Sequence, residues 1–113
     1  MRITAFDTEK GKDVFVGMYD KKTKIMKRAV GKEHYMTKEK GYGIQDDAVA
    51  VLFNMGCEKI HLELETQTLE YPMSIFDKKT TKDYGHGNQY FLTIREATII
   101  KKPLAQPSWL RKG

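Results

Sequence analysis

Residues 58–66, EKIHLELET, alternate between apolar and polar side chains. Ile60, Leu62 and Leu64 fall on one side, with Lys59, His61, Glu63 and Glu65 on the other. That period of two predicts a β-strand with one face on a core and one in water. A tight turn near Gln67 leads to a second short strand over 69–71, so the segment reads as a hairpin that Pro72 interrupts. The N-terminal third carries the same signal in shorter pieces. RITAF (2–6), DVFVGMY (13–19) and IMKRAV (25–30) are rich in β-formers, and the turn-like stretches TEKGK and DKKTK separate them. They predict a three-stranded antiparallel start.

The period changes after residue 43. In IQDDAVAVLFNMG, Val49, Leu52 and Phe53 recur at helical spacing, flanked by Ala48 and Met55. Gln45 or Asp46 is placed to cap a helix there, Ile44 to staple onto Val49, and Gly56 to end it. GKEHYMTKEKGYG (31–43) reads as a loop and MSIFDKK as one helical turn; QYFLTI (89–94) and ATII (97–100) read as further strands. YDKKT (19–23) and FDKKT (76–80) nearly repeat, but their flanks differ, so they read as two similar turns rather than a duplication. The expected fold is α+β: an antiparallel sheet of about five or six strands with one main helix packed on one face. The expected core is Ile3, Phe6, Val14, Val16, Val49, Leu52, Phe53, Ile60, Leu62, Leu64, Phe91 and Ile94.

A chain of 113 residues has the size of one domain, expected over 1–102, with the Pro-containing basic stretch 103–113 as a tail. One cysteine, Cys57, cannot form an internal disulfide; it reads as a buried structural thiol in a reducing, cytoplasmic setting. No stretch approaches the roughly 20 apolar residues of a membrane span. The formal net charge is +5, unevenly spread. Residues 1–43 hold eleven Lys/Arg against six Asp/Glu, residues 44–77 one against seven, and residues 78–113 eight against two. Such blocks either form separate charged faces or neutralise one another across neighbouring strands.

The sequence holds no phosphate-binding glycine loop of the Walker type, no G-x-G-x-x-G, no C-x-x-C, no H-E-x-x-H and no G-x-S-x-G. In size and layout alone the chain resembles small accessory proteins of phages and plasmids. Four local constellations carry chemistry. In KDYGHGNQY (82–90) two glycines leave His86 unshielded, with Tyr84, Asn88 and Gln89 beside it; the plain alternative is a hairpin loop in which the glycines make the turn. In GYG (41–43) glycines before a helix N-terminus permit positive φ and an anion site, against which Asp46 and Asp47 compete. His61, Glu63 and Glu65 share a strand face at roughly 6.5–7 Å spacing and are metal-ligand candidates if another strand adds a ligand. Finally, Tyr35, Tyr42, Tyr84, Tyr90 and Trp109 interleave with Lys38, Lys40, Lys82 and Arg111, a composition suited to tracking a phosphate backbone.

The expectation drawn from these is a non-enzymatic binding protein without a cofactor. It engages nucleic acid or a nucleic-acid-processing protein, with His86, Asn88, Gln89, Tyr84, Tyr42, Lys78, Lys79 and Lys82 as binding residues. One alternative mode sets the acidic strand face against a basic protein, as an inhibitor would. Two alternative functions are a metal-dependent phosphodiester hydrolase using His61, Glu63, Glu65 and His86, and a pocket for a small anionic ligand between the two glycine loops.

Overall fold

The computed structural model describes residues 1–31, 36–83, 85 and 87–100. The expected tail from residue 103 lies outside them. Strands β1 (Arg2–Asp7), β2 (Lys12–Asp20) and β3 (Ile25–Ala29) form the antiparallel start that the sequence predicts. Both of its turns use the same device. Asp7 Oδ1 accepts from the backbone N–H groups of Glu9 and Lys10, and Asp20 Oδ1 from those of Lys22 and Thr23. Each turn closes with a bond back to its aspartate, from Gly11 N to Asp7 O and from Lys24 N to Asp20 O, both 2.8 Å. An Asp side chain thus satisfies donors that the turn leaves open.

After β3 the chain forms β4 (Tyr42–Gln45), α1 (Asp46–Asn54), β5 (Lys59–Glu63) and β6 (Thr68–Pro72). A 3-10 segment follows over Met73–Lys78, then β7 (Lys82–Asp83) and β8 (Asn88–Leu92), a 3-10 turn at Ile94–Glu96, and β9 (Thr98–Ile100). A six-stranded sheet has the order β1-β2-β3-β5-β6-β9 and a three-stranded sheet the order β4-β8-β7. The larger sheet is antiparallel except at β3–β5, whose parallel pairing is possible because β4 and α1 supply a long crossover. The fold is therefore α+β, with one main helix that packs against β1, β4 and β8.

The helix ends as its sequence predicts. Cys57 N bonds to Leu52 O at 2.9 Å and Gly56 N to Phe53 O at 3.1 Å, with Gly56 at φ +82°, which is the Schellman arrangement. Its start differs. Ile44 and Gln45 belong to β4, and neither Gln45 nor Asp46 makes a side-chain cap; Asp47 instead accepts from Ala48 N and from Phe6 N of β1.

Ile3, Val16, Val49, Leu52, Ile60 and Leu62 are buried as expected, while Val14, Leu64, Phe91 and Ile94 are only half-buried. Phe6 and Phe53 are corrections. A period of two from Ile3 sends Ala5 and Asp7 inward and leaves Phe6 50% exposed. The buried stripe of α1 is Ala48, Val49 and Leu52, and Phe53 sits at its rim, edge-on to Phe76. In β8 the buried side chain is Leu92 rather than its neighbour Phe91. The fully buried Tyr71 donates its hydroxyl to Thr93 O at 2.6 Å, and burial pushes its pKa well above the usual tyrosine value. YDKKT and FDKKT also part company: the first is the β2–β3 turn, while the second closes the Met73–Lys78 segment.

Candidate functional site

The hairpin β7–β8 carries the glycine-flanked segment. Lys82 pairs with Gln89 and Asp83 with Asn88. Gly85 and Gly87 have φ of +84° and +90°, so both glycines are needed to reverse the chain. Asp83 Oδ1 accepts from Gly85 N at 2.8 Å, and Thr8 Oγ1 donates to Gly85 O at 3.0 Å, tying the loop to the end of β1. Tyr84 and His86 lie outside the described residues. Lys82 and Asn88 are exposed at this end of the small sheet, and Gln89 is half-buried beside them.

The other expected binding residues lie elsewhere. Tyr42 stands opposite Leu92, at the far end of the same sheet from Asn88. Lys78 is exposed at the end of the 3-10 segment. Lys79 is held by a carboxylate: its Nζ lies 2.7 and 2.6 Å from the two Glu96 oxygens. Burial alone would raise the Glu96 pKa, but hydrogen bonds from Lys79 and from Thr93, with the Lys79 charge, bring it below the usual value.

The glycines of GYG do a different job from the one expected. Neither Gly41 nor Gly43 has positive φ; a Cβ on Gly41 would stand 3.0 Å from Leu92 O, and one on Gly43 would collide with Gln89 Oε1. They let β8 come close. The two glycine segments do converge, on a cleft of 170 Å³ lined by Phe6, Thr8, Gln45, Asp46, Asp47, Gly87 and Asn88. Two aspartates in that wall oppose an anionic ligand by simple Coulomb repulsion.

On the polar face of β5, His61 Nε2 is 2.9 Å from Glu70 Oε2, and Lys59 Nζ is 3.6 Å from Glu70 Oε1. Glu70 stands directly opposite His61 in the hairpin. Glu63 ends the strand and Glu65 lies beyond it. Among the described residues, no three His, Cys, Asp or Glu side chains are grouped to share a metal ion.

One cluster has no local sequence signature. The guanidinium of Arg2, on β1, lies 4.4 Å from the ring centroid of Phe15, on β2, and that of Arg28, on β3, lies 4.7 Å from it. Arg28 Nε donates to the Tyr42 hydroxyl at 3.1 Å. Four strands contribute one residue each, so only the folded register brings them together. Among the described residues neither Arg2 nor Arg28 forms an ion pair. The ion pairs that do form join Lys59 and His61 to Glu70, Lys79 to Glu96, and Arg95 to Glu39. None of them joins the acidic middle of the sequence to either basic flank.

Comparison with protein-family models, with curated proteins and with solved structures finds no match to this chain.

Proposed function

We propose that this chain is a small non-enzymatic binding protein that engages nucleic acid through its basic segments. The observation that carries the reading is the segregation of charge. The basic flanks would be inert toward a polyanion if the acidic middle neutralised them, and among the described residues no ion pair does so. Lys78 and Lys82 remain exposed, and Arg2 and Arg28 keep unspent guanidinium donors. Lysine and arginine that neutralise phosphates release condensed counterions, which supplies affinity independent of base sequence. A cytoplasmic setting, where Cys57 stays a thiol, belongs to the same reading. No helix among the described residues is long and apolar enough to cross a membrane.

The same segregation favours a second reading. Glu63 and Glu65 make no ion pair among the described residues, so the acidic segment can face a basic protein. A low-salt pull-down with and without nuclease separates the two. Nucleic acid that absorbs at 260 nm and is released by salt supports the first. A nuclease-resistant basic protein, with no nucleic acid, replaces it with the second.

A further inference from the structure

We infer that Arg2 and Arg28, held against Phe15, form a clamp for a phosphate oxyanion. The inference rests on the nucleic-acid reading for its natural ligand, a backbone phosphodiester, but the chemistry is that of any accessible phosphate.

Two cations drawn to one aromatic ring repel each other. Each is attracted to the ring's negative face, and the ring fixes both guanidinium planes close together. Elsewhere in this chain a partly buried cation is met by a carboxylate, as Lys79 is by Glu96. Here, among the described residues, no carboxylate comes within ion-pair distance. Arg28 spends only its Nε, on Tyr42, which orients the fork and leaves its Nη groups open. Arg2 is exposed and Arg28 half-buried, so a ligand can reach both. An oxyanion bridging the two forks relieves the repulsion and takes the planar, bidentate contacts that guanidinium favours with phosphate. Lys27 stands in the same strand row as Arg2, one strand beyond Met18, and adds a third cation to that side of the sheet. Asp13, two residues from Phe15, is the nearby acid on β2 and forms no ion pair with either arginine among the described residues.

The test compares wild type with Arg2→Ala/Arg28→Ala and Arg2→Lys/Arg28→Lys, after circular dichroism confirms that each folds. The probe is a fluorescent single-stranded oligonucleotide titrated at several salt concentrations. The alanine pair is expected to lose about tenfold or more in affinity and to lower the salt slope by about 0.7, the value for one phosphate on a single strand. The lysine pair keeps the charge, so it retains the slope, but it binds several-fold more weakly because the forks are gone. If wild type binds the oligonucleotide and the alanine pair binds it with the same affinity and slope, the clamp is wrong while the nucleic-acid reading stands. If wild type ignores the oligonucleotide, inorganic pyrophosphate is titrated calorimetrically. Binding that the alanine pair loses upholds the clamp and removes nucleic acid as its ligand; no binding by wild type overturns the clamp.

Discussion

Lys24 has φ +60°, in the place that Gly11 fills at φ +64° in the preceding hairpin turn. The two turns share their aspartate device, so the difference isolates one residue. A side chain in the left-handed region costs about 1–2 kcal/mol, and glycine returns part of that through its freer unfolded chain. Lys24→Gly is therefore expected to stabilise the protein by about 0.5–1 kcal/mol, read as a higher Tm; an unchanged or lower Tm would show that the Lys24 side chain contributes something the backbone does not reveal. The aspartates and Gly11 make these turns legible in the sequence, whereas Lys24 gives no sign of its conformation. Phe6 was illegible for another reason. Its hydrophobicity argues for the core, but strand parity belongs to Ile3 and Ala5, and parity decides.

Elements with a long, clean period were readable and short ones were not. The β5–β6 hairpin follows from alternation alone, and Leu62 faces Leu69 with both fully buried. Leu62→Asp would put an unpaired charge there, costing several kcal/mol against a total of roughly 5–15; a wild-type melting curve for that variant would refute the facing. By contrast β4 has four residues, two of its neighbours in GYG are glycines, and its identity as a strand comes only from β8. The parallel β3–β5 pairing is likewise invisible in either strand, because the crossover through α1 sets it.

The Lys79–Glu96 pair makes a pH test at this same scale, since it fastens the end of the Met73–Lys78 segment to the Ile94–Glu96 turn. The Glu96 pKa is lowered in the folded state. Its contribution is therefore complete above the ordinary glutamate pKa and fades as pH falls through the lower folded value. Glu96→Gln keeps an oxygen for Thr93 but removes the charge. It should cost about 1 kcal/mol at neutral pH, discounted because the carboxylate is a third exposed, and little once Glu96 is protonated in wild type. Urea midpoints of the two proteins at pH 7 and pH 3 check this: a gap that persists unchanged at pH 3 would mean the charge is not what matters.

Across the whole molecule, the fold class and the three charge blocks were legible in the sequence, because both are sums over many residues. The Arg2–Phe15–Arg28–Tyr42 cluster was not, because one residue from each of four strands meets only after pairing. The commitment of Lys79 to Glu96 was hidden for the same reason, which leaves Lys78 and Lys82 as the exposed lysines of that segment. The account's central claim is that basic segments left uncompensated by the acidic middle meet a phosphate backbone. Its most direct test is the affinity of wild type and of Lys78→Glu/Lys82→Glu for a mixed-sequence single-stranded oligonucleotide, measured by fluorescence anisotropy over a range of salt. The predicted result is a wild-type log affinity that falls linearly with log salt, and a variant that binds more weakly on every sequence with a slope smaller by about 1.4, for two phosphates. Wild-type affinity that ignores salt, or a variant that binds as tightly as wild type at low salt, would contradict it.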